Sequence, residues 1–134
     1  MEKYFNGVSV VAGVVGGWFA YLVGGWDVLL WTLLCFIVLD YLTGLCKAWK
    51  TKMLSSQIGF EGLIKKMMIL SMVVMANFIQ QLVGEVVPIR EIVILFFISN
   101  EGISLLENAA LFVKVPDQLR DALLQLRGDE KEDK

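Results

Sequence analysis

The sequence predicts an all-α integral membrane protein with four transmembrane helices and a short C-terminal amphipathic helix. Three observations carry that expectation. Hydrophobic residues fill 57% of the 134 positions, above the roughly 45–50% of soluble domains. They fall into four runs, at about 4–26, 28–46, 67–84 and 89–113, each near the ~20 residues that cross a hydrocarbon core. Charge is segregated as well: residues 47–66 hold five lysines against Glu61, while residues 117–134 hold six acids against four bases, so the formal charge of −2 says little.

The first run, 4–26, is uncharged. Lys3 precedes it as in a signal peptide, but no small-x-small cleavage site closes it, and Trp18, Tyr21 and Trp26 suit a membrane interface. It is read as a retained helix. Ser9, Gly13 and Gly17 recur every four positions, as do Ala12, Gly16, Ala20 and Gly24. Such spacing lets helices approach closely in lipid, either in self-association or against the chain's own helices. Glycine and β-branched residues make this the weakest helix by propensity. A helix lying in the interface is the alternative, and it leaves three spans.

Gly24-Gly25-Trp26-Asp27 reads as a turn. In the second span Asp40 interrupts the apolar run, and a carboxylate there costs about 2.5–3.5 kcal/mol unless it finds a partner or water. Lys47, two turns on, is one partner; an assembly interface or a wet lumen is the other reading. Gly44 follows as a small residue for packing. Cys35 and Cys46 lie eleven positions apart, about 16 Å along a helix, so they read as free thiols.

Lys47, Lys50, Lys52, Lys65 and Lys66 place their loop in the cytoplasm. Ser55 and Ser56 suit the cap of a short helix there. A basic run also suits nucleic acid or anionic lipid, but topology accounts for it more simply. In the third span Asn77, Gln80, Gln81 and Gly84 share one face with Lys66. In the fourth, Asn100, Glu101, Ser104, Glu107 and Asn108 cover one sector of about 120°. Antiparallel pairing of these two spans brings Lys66 level with Glu107, and an ion pair between them is expected. Pro116 suits a helix start, and Leu119, Ala122, Leu123 and Leu126 make 116–127 amphipathic, to lie on the cytoplasmic membrane surface. Residues 128–134 form a charged tail of disordered composition. Residues 1–127 thus make one membrane domain, with both termini cytoplasmic.

There is no histidine, which removes Ser-His-Asp and Cys-His catalysis and most zinc sites. No catalytic set, cofactor, metal or nucleic-acid partner is expected.

Three stretches resemble the holins of phage lysis and toxin secretion: LDYLTGLCKAWK, with Asp40 and Gly44 ahead of lysines; LSSQIGFEGLIKK, with a serine, glycines and a lysine pair before a span; and ISNEGISLLENAALFVKVPDQLRDALLQL. Together they cover about residues 39–127, and their order and spacing carry the specificity. This chain has Lys114 where relatives often carry glycine before the Val-Pro step. The resemblance implies a small bacterial cytoplasmic-membrane protein. Such a protein homo-oligomerises into lesions that release an endolysin or a signal-less toxin, without direct contact to the endolysin, and whether an antiholin partner accompanies it stays open. The rival class is a small four-span proton-coupled multidrug-type transporter, with Asp40 or Glu101 as its carboxylate, or a membrane-complex subunit.

Overall fold

The computed structural model describes residues 2–128 and is all-helical. The helices are α1 (Glu2–Val23), α2 (Val28–Lys50), α3 (Ser56–Val83), α4 (Ile89–Ala109) and α5 (Asp117–Arg127). Residues 129–134 of the expected charged tail lie outside the described residues.

Each helix ends where local chemistry stops it. Asp27 caps α2, accepting the Leu30 amide at 2.9 Å, and positive φ at Gly24 and Gly25 makes the turn before it. α2 runs four residues past the expected end at 46. Lys47 and Lys50 occupy its last turn, where cations suit the negative end of the helix dipole, and the Thr51 hydroxyl closes it on Lys47 O at 3.0 Å.

The basic loop is therefore mostly helix. Ser55 caps α3, accepting the Ile58 amide at 3.2 Å, and starts it eleven positions before the apolar run. The serine cap opens a 28-residue helix, not the short one expected. Residues 51–55 alone connect α2 to α3. α4 ends at Ala109 and not at 113, because the amides of Phe112 and Val113 turn back onto Ala109 O, each at 2.9 Å. Pro116 stands as the N-cap of α5, a position that its missing amide tolerates.

α4 is the centre of the bundle, packing on α2, α3 and α5; α1 packs chiefly on α3, with Val23 at its end reaching the shared core. Leu30, Leu33 and Ile37 of α2 meet Ile69 and Val73 of α3 and Ile94 and Ile98 of α4, with Val23 closing one end. The three- and four-residue spacings place these side chains on one face of each helix. α1, α2 and α3 are long and apolar enough to cross a membrane. α4 has 21 residues and carries Arg90, Glu91, Glu101 and Glu107.

Candidate functional site

Polarity is inverted relative to a soluble protein. Valines, leucines, methionines and tryptophans cover the outside, whereas Asp40, Lys66, Asn77, Arg90, Ser99, Glu101 and Asn108 are buried. A buried charge has to be paired and hydrogen-bonded to persist. The charged residues and the two asparagines do so in two clusters, one at each end of the core, whereas Ser99 bonds to α5.

The inner cluster joins α2, α3 and α4. Lys66 Nζ donates to both Asp40 Oδ2 and Glu101 Oε2. Asn108 Nδ2 donates to Asp40 Oδ1 at 3.1 Å and to Thr43 Oγ1 at 3.1 Å. One ammonium thus serves two carboxylates from different helices. Gly44 lets α4 come close: a Cβ there would lie 3.7 Å from the Asn108 amide nitrogen. Gly62 and Gly59 face the Tyr41 ring, whose hydroxyl donates to Gly59 O at 3.3 Å. An open pocket of about 200 Å³ adjoins the cluster, bordered by Asp40, Tyr41, Lys65 and Ser104.

The expected Lys66–Glu107 pair does not form. Glu107 is exposed, and Lys66 sits between Asp40 and Glu101 instead. Pairing spans three and four from their ends gave the wrong register. α3 starts far earlier than its apolar run, and α2, which the two-helix argument left out, supplies the second acid. Asp40 likewise takes Lys66 and not Lys47, which is exposed on its own helix. The polar sector of α4 divides: Glu101 and Asn108 turn into the bundle, whereas Asn100 and Ser104 are half-buried and Glu107 faces outward. Asn100, Ser104 and Glu107 line a groove of about 540 Å³ with Lys65 and Met68 of α3.

The outer cluster was not foreseen, and Arg90 is its hub. Its guanidinium donates to Val23 O, to Gly25 O at 3.2 Å and to Asp27 Oδ2 at 2.8 Å. Asn77 donates to Leu22 O at 3.0 Å and Tyr21 O at 3.3 Å, and Gln80 accepts the Arg90 amide at 2.8 Å. The last carbonyls of α1, which no helical amide reaches, are taken up by these side chains. Gly24 belongs to this cluster and not to a helix face: at φ +89° it leaves the space where a Cβ would lie 2.6 Å from Arg90 Nε. The hydrogen-bonded Arg90 guanidinium holds the Asp27 carboxyl below the usual carboxylate range. The sequence signal was present, since Arg90 is a lone cation opening an apolar helix just after Pro88.

The remaining candidates are peripheral. Gln81 is exposed, and so are Lys47, Lys52 and Lys65. Lys50 donates to Leu111 O and lies 4.8 Å over the Phe112 ring. Gly13, Gly16 and Gly17 have open space where a Cβ would go, so they are not used within the chain; Ala20 is half-buried.

α5 does not project away as a separate surface helix. It folds back along α4. Leu123 fills the notch at Gly102, where an added Cβ would lie 2.8 Å from its methyls. Ser99 donates to Leu123 O, and Arg127 donates to Asn100 Oδ1 at 3.0 Å. The amphipathic pattern predicted a helix but not its neighbour, because a glycine notch gives no periodic signal.

Residues 17–128 match the model of the bacteriophage holin family. An uncharacterised 14.9 kDa protein of Clostridium perfringens is 43% identical, covering 96% of this chain and 98% of that protein. An uncharacterised protein of Listeria innocua is 41% identical over 87% of this chain and 86% of its own. A probable holin of Bacillus phage phi105 is 36% identical over 69% of each. No solved structure matches.

Proposed function

Because the chain belongs to the bacteriophage holin family, we propose that it accumulates in the bacterial cytoplasmic membrane and assembles with further copies of itself. The assembly forms a lesion wide enough for a folded endolysin, or a toxin without a signal peptide, to pass. Residues 1–127 act as one membrane domain, with α4 as the fourth span and both termini on the cytoplasmic side with the lysines. No catalytic step is involved.

The observation that carries this reading is the inverted polarity: apolar side chains outside, Asp40, Lys66, Glu101 and Asn108 inside. Lipid supplies no drive to associate apolar faces, whereas polar groups at membrane depth favour protein or water. Asn100, Ser104 and Glu107, on the rim of the buried cluster, are the groups that a neighbouring copy or a lumen would cover. The small-residue face of α1 with Gly13, Gly16 and Gly17 unoccupied is the second assembly surface. A multidrug-type transporter needs a membrane carboxylate for which cargo and proton compete. Here Asp40 and Glu101 both hold Lys66, which favours a structural use.

The test is induced expression in bacteria with and without a signal-less cytoplasmic endolysin, following turbidity and viability. Abrupt lysis after a delay, in the enzyme-containing culture only, is expected. Slow growth inhibition without lysis in either culture would overturn the reading. Glu101→Gln and Glu107→Gln are each expected to shift the time of lysis; if both lyse on schedule, the polar face of α4 has no part in assembly.

A further inference from the structure

α5 leaves part of its apolar face uncovered, although Leu123 and Leu124 are half-buried. Two of its leucines, Leu119 and Leu126, are 51% and 45% exposed, and Ala122 beside them is exposed too. Its contact with the bundle instead runs through Leu123 in the Gly102 notch and Arg127 on Asn100. Arg120 borders the groove that holds Glu107. The helix therefore shows leucines on one side. Its arginines extend a polar strip along α3 and α4 that already contains Lys65, Asn100, Ser104 and Glu107.

Depth gives this arrangement its meaning. Lys50, at the lysine end of α2, donates to Leu111 O just past the end of α4, so those residues mark one level. Asn100 lies eleven residues further along α4, about 16 Å at the helical rise. Half of a hydrocarbon core is about 15 Å. With α4 as the fourth span, the exposed Arg127 stands near mid-membrane beside Asn100. Lipid is a costly surrounding for an arginine there, whereas water or protein is not.

We propose that α5 forms part of the lumen wall in the cytoplasmic half of the lesion. Lys65, Asn100, Ser104, Glu107, Arg120 and Arg127 face water, and Leu119 and Leu126 face lipid. This rests on the proposed function above. The leucines stay uncovered in the bundle because lipid is their partner.

The experiment uses the full chain with Cys35→Ala and Cys46→Ala, purified and reconstituted into liposomes that hold a fluorescent protein. Gly102→Cys with Leu123→Cys, positions that meet in the notch, is oxidised before reconstitution and compared with its reduced form. In separate single-cysteine chains, Arg120→Cys and Leu119→Cys are exposed to a charged, membrane-impermeant thiol reagent. The expected result is an intramolecular disulfide, release by the crosslinked chain within twofold of the reduced chain, and Arg120→Cys reacting at least tenfold faster than Leu119→Cys.

If the disulfide does not form, α5 does not lie on α4 to begin with; if the crosslinked chain fails to release cargo that the reduced chain releases, α5 leaves α4 in the lesion. The wall assignment then falls and the holin reading stands. Reaction of both cysteines at equal rates would likewise overturn the assignment of faces. If the parent chain with both native cysteines releases nothing, no lumen exists and both readings fall.

Discussion

The two polar clusters stand at opposite ends of the same core and are built from different materials. The inner one is side chain on side chain: Lys66 of α3 between Asp40 of α2 and Glu101 of α4, with Asn108 closing the ring. The outer one is largely side chain on backbone: Arg90 and Asn77 take the last carbonyls of α1. The inner cluster ties together three helices that also pack through apolar faces. The outer cluster reinforces the end of a helix whose other packing is chiefly on α3. The difference separates two jobs. Removing a partner from the inner cluster leaves buried charge uncompensated, which disturbs the whole bundle. Removing one from the outer cluster frees α1 and leaves α2, α3 and α4 together.

The largest effect is expected at Lys66. Lys66→Ala leaves two buried carboxylates without a cation, and breaking a buried ion pair in this way costs about 3–5 kcal/mol. Thermal unfolding in detergent should fall steeply, and the triple change Lys66→Met, Asp40→Asn, Glu101→Gln should recover most of the loss. A triple variant no more stable than Lys66→Ala would show that the cluster matters for shape and not for charge.

Arg90→Ala comes next, since hydrogen bonds to a charged group are worth about 1.5–3 kcal/mol. Here the readout is selective. Protease added to detergent-solubilised chain should cut near residues 24–27 well before the α2–α4 core is touched. Simultaneous cleavage throughout would erase the distinction between the two clusters.

Gly24→Ala places a Cβ at φ +89°, a left-handed conformation that costs an L-residue about 1–2 kcal/mol, and pushes it against Arg90 and Asn77. It should reproduce the Arg90→Ala cleavage pattern in weaker form, whereas Gly13→Ala, with open space around it, should leave the pattern unchanged.

The smallest effect is a pH dependence at Asp27. Its carboxyl is depressed by Arg90, so the folded pKa lies below the unfolded value of about 3.9. The stabilisation is complete above that value and is lost as pH falls through the folded pKa. Asp27 is 45% exposed at its side chain, so the contribution is under about 1 kcal/mol. Trp26 stacks on Trp31 next to it, with ring centroids 4.9 Å apart. An acid-limb change in tryptophan fluorescence below about pH 4 should therefore shrink in Asp27→Asn.

How much was legible in the sequence follows from the range of the signals. Helix existence was readable, since each run of apolar residues became a helix. The start of α2 was readable from the Gly24-Gly25-Trp26-Asp27 turn, although the cap that Asp27 makes there shows only in the structure. At Ser55 the sequence predicts the cap but a short helix, because hydropathy ends where lysines begin whereas hydrogen bonding does not. The buried polar residues Asp40, Lys66, Asn77, Glu101 and Asn108 stood out as costly groups needing partners. Their partners did not, because register between helices depends on how three surfaces fit at once. The role of Arg90 has no local signature; it depends on where the carbonyls of α1 end.

Composition and periodicity by themselves determined an all-helical chain with apolar exteriors, a basic turn and costly polar groups in its helices. These are properties of single segments, set by transfer free energies that act on each residue whatever its neighbours. The tertiary structure decided which acids hold Lys66, that Arg90 ties down the end of α1, and that α5 lies along α4 with Leu123 inward and Leu119 and Leu126 outward. Each of those is a meeting of residues far apart in the chain. Such a meeting depends on glycine notches at Gly24, Gly44 and Gly102 and on the shapes packed around them, and no segment carries that information alone.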